Sequence, residues 1–158
     1  MANYFLDNAD ILFHFDTLDL AELARIQEDD FADGRSGQYD YAPLDAADTI
    51  DNWRHVLSII GEVSAEMIAP NAETVDLEGN TLNEDGTVTL DPLVQENLKR
   101  LNQADLMGFT LPRRFGGINC PNLIYTMGTE MVARADTSLT NLFGLQGIAE
   151  TVNAFACE

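Results

Sequence analysis

The chain has 158 residues, of which 46% are hydrophobic and 22% charged, enough for one ordinary domain with its own apolar core. Its formal net charge of -19 argues against nucleic acid or an anionic membrane as the main partner, because both attract basic surfaces. No basic, apolar leader follows Met1 and acidic residues interrupt the long apolar runs, so we expect no signal peptide, no membrane span and a cytoplasmic location.

The first 42 residues are expected to form an arm. Apolar patterns at residues 11–15 and 18–26 predict two short helices, and the Gly-, Asp- and Ser-rich stretch 29–37 predicts a loop. Because residues 1–42 are too few for a core, we expect them to dock on a body formed by residues 43–158.

A long amphipathic helix is predicted from Ala46, where apolar residues recur at alternating spacings of four and three as far as Met67. Its natural end is Pro70, which cannot continue the hydrogen-bond ladder. Glycine-containing turns and a β-prone run at 87–89 then predict a short hairpin or an extended excursion near residues 75–90.

The acidic residues of this excursion do not match a calcium loop. With Gly86 as the loop glycine, Thr81 would stand first and Pro92 last, where an acidic or amide ligand and a glutamate are needed. The sequence therefore argues against a calcium site here.

Three further helices are predicted. Asp91 followed by Pro92 is a typical start, and Gly108 is a suitable end. The next helix should begin near Cys120-Pro121 and run to Arg134.

The last helix should follow the capping residues at 136–138, and its apolar residues point in nearly every direction, which is typical of a helix buried on all sides. Few elements of this chain are available to surround it. We therefore expect parts absent from the chain to complete its burial.

Independent chemistry is not indicated. The sequence has no glycine-rich phosphate loop, nucleophile elbow or His-rich metal cluster, and His14 and His55 favour packed or surface roles. Cys120 and Cys157 lack paired spacing and are interpreted as free thiols. Four of the eight basic residues form the one positive patch of the sequence: Lys99, Arg100, Arg113 and Arg114.

The stretch from Ala104 to Gly117 reads ADLMGFTLPRRFGG, and residues Glu130, Arg134, Asp136 and Ser138 follow at regular positions. This pattern resembles the N-terminal helical domain of acyl-CoA dehydrogenases. Its residues also have structural roles: Gly108 can end a helix, the paired glycines 116–117 can form a tight turn, Asp136 can cap, and Glu130 and Arg134 have the spacing of an ion pair.

The resemblance implies an all-α fold for residues 43–158, a helical bundle interrupted by the short hairpin or excursion. Members remove the α and β hydrogens of an acyl-CoA, with a glutamate as base and flavin adenine dinucleotide (FAD) as hydride acceptor, and pass electrons to a carrier protein. Middle β-sheet and second helical domains hold most of the flavin and the base. We therefore expect this chain to be an inactive fragment that has no cofactor or metal of its own.

The first domain of such enzymes contributes one wall of the acyl pocket, on the helix that follows the Arg-x-Asp-x-Ser turn. The resemblance assigns that wall to Leu139, Thr140, Phe143 and Gly147, although apolar residues of a buried helix are more often core. A second hypothesis is a non-catalytic helical interaction module with the same topology. Exposed apolar surface also predicts that the fragment self-associates.

Overall fold

The computed structural model describes residues 1–156 and shows a mostly helical chain, which confirms the predicted fold class. Its α-helices are α1 (Ala9–Thr17), α2 (Leu20–Gln27), α3 (Ala32–Ser36), α4 (Ala46–Val63), α5 (Ala72–Glu78), α6 (Pro92–Gln103), α7 (Asn122–Ala135), α8 (Leu139–Gly144) and α9 (Gln146–Phe155). Within residues 1–156, no helix has both the length and the apolar character needed to cross a membrane.

The two predicted helices of the arm are present as α1 and α2. Asn8 caps α1 and Asp19 caps α2 through side chains that accept backbone N–H bonds, as asparagine and aspartate commonly do. Phe5 and Phe15 are buried against each other edge to face, with ring centroids 5.9 Å apart. Apolar contact of this kind holds the start of the arm in the core.

The prediction of a loop over residues 29–37 is wrong in part, because α3 forms inside it. Asp29, Asp30 and Phe31 adopt left-handed conformations, with φ of 47°, 51° and 64°. This turn starts a short helix that has no buried residue and ends at Gly37, φ 67°. Polar composition alone indicated a loop; the turn that starts α3 has no periodic signal.

The long helix begins at the predicted place, where Asp45 caps α4, but the helical path does not end at Pro70. It continues through a π-helical turn, Ser64–Ile68, and a 3-10 turn, Ala69–Asn71, into α5. Pro70 lies in the first turn of this restart, where its missing N–H leaves no helical bond unmade. The path ends at Gly79, which has a positive φ of 67°.

The predicted hairpin is present and short. Strand β1 (Thr81–Leu82) pairs antiparallel with β2 (Val88–Thr89), with Thr81 opposite Thr89. Gly86 turns the chain with φ 83° and donates its N–H to the Asn83 carbonyl at 3.0 Å. Both strands are exposed, so the hairpin stands on the surface.

Helix α6 starts as predicted, with the Asp91 carboxylate accepting from the N–H of Leu93, but it ends at Gln103, well before Gly108. Asp105 takes the left-handed position, φ 55°, and its N–H bonds the Asn102 carbonyl at 3.1 Å. The N–H of Leu106 bonds the carbonyl of Leu101 at 3.0 Å, which completes a Schellman end. Asp105 therefore occupies the position that the sequence assigned to Gly108.

The core lies around α4, which packs against α2 and α7. Gly128 allows α7 a close approach, since a Cβ there would lie 2.8 Å from Cδ1 of Ile60. Helix α7 has nearly its predicted bounds, but the predicted single last helix is divided into α8 and α9 between Gly144 and Gln146. Their junction creates the candidate site.

Candidate functional site

The Arg-x-Asp-x-Ser turn connects α7 to α8 and sets the direction of α8. One carboxylate oxygen of Asp136, Oδ1, accepts from the N–H of Ser138 at 2.9 Å, from its hydroxyl at 2.6 Å and from the N–H of Leu139 at 3.3 Å. This confirms the capping role predicted for Asp136. The 3-10 turn Arg113–Phe115 and Gly116, with φ 83°, likewise confirm a tight turn.

Two of the four proposed wall residues, Leu139 and Phe143, are buried within the domain. Phe143 stacks on Tyr125 with centroids 5.9 Å apart and an interplanar angle of 17°, and lies 6.3 Å from Phe109. Leu139 lies deep in a cleft of about 350 Å³ that is also lined by Val75 and Leu90. These two side chains form the buried face of α8.

Thr140 and Gly147 are the partly exposed pair of the four. The Thr140 hydroxyl donates to the carbonyl of Thr137, which turns the hydroxyl toward the backbone. Gly147 lies near Tyr125, whose hydroxyl would be 3.9 Å from a Cβ placed at Gly147. Thr140 and Gly147 therefore mark where α8 and α9 meet the surface.

Gln146 holds the junction of α8 and α9 and was not among the residues singled out from the sequence. Its Oε1 accepts from the N–H of Gly108 at 2.8 Å, and its Nε2 donates to the carbonyls of Phe143 at 3.0 Å and Leu106 at 3.4 Å. The side chain is buried and joins the loop after α6 to the α8–α9 break. No sequence signal marked it, because a lone glutamine in an apolar segment has no partner at helical spacing.

The outer side of α9 is exposed among residues 1–156, so these residues do not bury the helix on all sides. Its large apolar residues are half exposed or more: Leu145, Ile148, Val152 and Phe155. Leu111 and Phe115 extend this surface toward the loop after α6, and Ala149 and Val152 line the shallow groove between. We call Leu145, Ile148, Val152 and Phe155 the α9 face.

The predicted ion pair between Glu130 and Arg134 is absent. Glu130 instead accepts a hydrogen bond from Asn8 Nδ2 at 3.3 Å, and the Arg134 guanidinium lies 4.0 Å from the ring centroid of Tyr4. Both residues bind the arm, because the arm covers this side of α7. Helical spacing alone could not reveal partners so distant in sequence.

The predicted positive patch does not form one basic surface. Arg113 is buried and its guanidinium bonds Glu28 at 2.6 and 3.0 Å and Asp33 at 3.1 Å. Arg100 pairs with Glu96 at 3.1 Å, and Arg114 donates to Asn153 at 2.6 Å. The guanidinium groups of these three arginines are therefore bonded to acidic or amide side chains.

The pKa values of Arg113 and Cys120 are shifted by burial and by charged groups of the arm. Burial alone would lower the pKa of Arg113, but hydrogen bonds and charge from Glu28 and Asp33 outweigh it, so the pKa is raised. Burial raises the pKa of the Cys120 thiol well above its ordinary range, and the Glu28 charge adds to this. Cys120 is thus a protonated, buried thiol, and Cys157 lies outside the described residues.

Metal-binding groups are not clustered in the described part of the chain. Within residues 1–156, no three His, Cys, Asp or Glu side chains come together as a metal site would require. His14 and His55 are both exposed, in agreement with the surface role considered for them. The arrangement can offer an apolar wall and a rigid junction.

Comparison with known proteins identifies one family. A family model described as acyl-CoA dehydrogenase, N-terminal domain, matches residues 54–158. No curated protein matches the chain. The matched range contains the Arg113 loop, the Asp136 cap and both helices of the proposed wall, whereas the arm precedes it.

Proposed function

The chain belongs to the acyl-CoA dehydrogenase family through its N-terminal domain, and we propose that it serves as that helical domain in an enzyme that dehydrogenates an acyl-CoA thioester. The Asp136-capped α7–α8 turn carries the proposal, because it places α8 on the aromatic cluster of Phe109, Tyr125 and Phe143. The family is generally FAD-dependent, and in the intact enzyme FAD would accept the hydride. Electrons would pass on to a carrier protein, and the enzyme would be cytoplasmic.

Residues 1–156 offer little that would suit the diphosphate of FAD in a buried site. A flavin dinucleotide carries a diphosphate, which proteins bind with free cations or with backbone N–H groups of a glycine-rich turn before a helix. The one buried cation among these residues, Arg113, is already bonded to Glu28 and Asp33. We propose that this chain alone retains no flavin and has no oxidation activity.

The wall of the acyl pocket is proposed to comprise Leu139, Thr140, Phe143 and Gly147. Leu139, Phe143 and Gly147 suit an alkyl chain because they offer no polar group that would lose its hydration, and the Thr140 hydroxyl is already bonded to the Thr137 carbonyl. Phe143 is fixed by its stacking on Tyr125, and Gly147 leaves space at the start of α9. In this proposal Leu139 and Phe143 back the wall while Thr140 and Gly147 face the substrate.

The wall is tested with Thr140→Val in the intact enzyme, and Thr126→Val is the matched control. Both hydroxyls bond a backbone carbonyl of their own segment, those of Thr137 and Asn122, so the two changes remove the same kind of bond. We expect Thr140→Val to change KM for acyl-CoA several-fold with a dependence on chain length, and Thr126→Val to leave KM unchanged. Equal effects of the two substitutions on KM would show that Thr140 is not part of the wall.

The absence of flavin is tested on the purified chain. After incubation with excess FAD and dialysis against buffer without FAD, it should show no absorbance near 450 nm, and it should not reduce an artificial acceptor with acyl-CoA. A yellow protein with stoichiometric flavin would overturn the proposal that this chain alone retains no flavin.

The second candidate is a helical interaction module, and the exposed α9 face is the observation that favours it. In the isolated chain we expect a second copy to cover this face, so light scattering at tens of micromolar should give a dimer or larger species. Val152→Glu should shift the species to monomer, whereas Val88→Glu on the exposed hairpin should not. A coding sequence that continues into a β-sheet domain supports the dehydrogenase proposal, and a stop codon supports the module.

A further inference from the structure

The arm grips the loop after α6 through a buried charge cluster. The guanidinium of Arg113 is 3% exposed and makes a two-point contact with the Glu28 carboxylate, 2% exposed, at 2.6 and 3.0 Å. Asp33, half exposed, adds a third contact at 3.1 Å. Two-point arginine–carboxylate bonds are strong and directional, so this contact fixes orientation as well as distance.

A second set of bonds lies beside the first and involves neutral groups. Gln27 donates its Nε2 to the carbonyl of Asn119 at 3.0 Å, and Asn119 donates its Nδ2 to the carbonyl of Gln27 at 2.9 Å. Asn119 itself is left-handed, with φ 57°. The arm therefore holds the loop at the residue where its backbone bends.

Gln27 and Glu28 end helix α2, whose Leu20 and Ala24 are buried, whereas the segment after them, which carries Asp33, has little apolar anchoring of its own. Helix α3 has no buried residue, and it follows a left-handed turn in which Phe31 adopts a conformation that is unfavourable for a bulky residue, while Asp29 and Asp30 tolerate it. Such a segment keeps its shape only while its polar contacts persist. Its stability should depend on the bonds to Arg113 and Asn119.

A cavity of about 190 Å³ lies between this segment, α4 and the loop. Trp53 and Cys120, both buried, line it together with Glu28 and Arg113. The Nε of Arg113 is buried and has no hydrogen-bond partner in residues 1–156. Exposed Tyr41 and His55 line the outer side of this cavity, so it already faces water there, while Glu28 and Arg113 cover its inner side.

The gripped loop continues directly to the proposed wall. The N–H groups of Ile118 and Cys120 both donate to the carbonyl of Phe109, each at 3.2 Å. The Phe109 ring lies 6.3 Å from Phe143 of α8. The position of the arm is thus transmitted through one short loop to the inside of α8.

We propose that Gln27, Glu28 and Asp33 form a clamp on Arg113 and Asn119, which covers the inner side of the cavity and opens as a local unit while the helical bundle stays folded. The clamp positions the Phe109 loop against α8. The proposal concerns the conformational behaviour of this chain and does not depend on the enzyme's substrate.

The reactivity of Cys120 and the fluorescence of Trp53 together test whether the clamp opens locally. Cys120 is labelled with a thiol reagent at pH 8 in a Cys157→Ser background, across low urea concentrations, and global unfolding is followed by the fluorescence of Trp53, the single tryptophan. Local opening exposes less surface than unfolding, so Cys120 labelling should depend on urea several-fold less steeply than unfolding does. Equal dependences would overturn the proposal, because Cys120 would then be reached only by unfolding.

A matched pair of variants tests which groups hold the clamp. Glu28→Gln with Asp33→Asn removes the two negative charges that face Arg113. Glu22→Gln with Asp30→Asn removes the two negative charges that face exposed Arg25 on the same arm. The first pair should speed Cys120 labelling roughly ten- to a hundredfold and increase acrylamide quenching of Trp53, since it loses charge-assisted bonds. The second should change labelling less than twofold. Equal effects of the two pairs would overturn the clamp. If the first pair does not fold, the urea dependence of Cys120 labelling with Glu28 and Asp33 unchanged decides whether the clamp opens locally.

Discussion

Replacing Gln146 with leucine should destabilise the domain by loosening the α8–α9 junction. The substitution keeps a similar volume but removes the acceptor of the Gly108 N–H and the donor to the carbonyls of Phe143 and Leu106. Each buried group left without a partner costs about 1–3 kcal/mol. The added apolar burial of leucine offsets only part of this loss, so we expect the free energy of unfolding to fall by about 3 kcal/mol.

Urea unfolding followed by Trp53 fluorescence measures the change, and Gln95→Leu is the control. Gln95 also donates its amide to a backbone carbonyl, that of Leu90 at 2.9 Å, but it is exposed and water can replace the bond. Its replacement should cost under about 0.5 kcal/mol. A Gln146→Leu protein within that same range would show that the junction is held by apolar packing, and would refute the role given to Gln146.

Two further predictions concern the loop after α6. Gly117→Ala should cost about 3 kcal/mol, because its Cβ would lie 2.0 Å from the carbonyl oxygen of Leu111. Gly116→Ala meets no atom within 4 Å and should cost only about 1 kcal/mol for its left-handed backbone; equal losses in urea unfolding would contradict the steric argument. Folding also keeps the Cys120 thiol protonated while the unfolded chain ionises above about pH 8.5, so stability is intact below that pH and falls above it. That fall should be shallower in Cys120→Ala, and identical slopes from about pH 8 to 10 would refute it.

Local features were predictable from the sequence because their causes lie within a few residues. The caps at Asp91 and Asp136, the turn at Gly86 and the start of α4 each depend on one side chain and its nearest backbone groups. Helix ends were predicted less well. Pro70 restarts a helical path and Asp105 replaces Gly108 as the left-handed end, because more than one residue could satisfy each local rule.

Long-range polar partners could not be predicted at all. Arg113 looked like part of a positive surface, yet its carboxylate partner stands 85 residues earlier and both are buried. Glu130 and Arg134 had the spacing of an ion pair, but the folded arm offers Asn8 and Tyr4 instead. The same limit applies to Gln146, whose partners at 106 and 108 belong to another segment.

These long-range bonds bear on where the functional domain begins. The family match starts at residue 54, and the sequence placed the boundary of the arm at residue 42. Either boundary separates Arg113 from Glu28 and Asn119 from Gln27, and would leave a buried cation without its carboxylate. The loop that carries Arg113 and Asn119 is bonded to those partners and contacts α8 through Phe109. We therefore propose that the arm belongs to the structural unit that supports the wall, although it lies outside the region by which the family is identified.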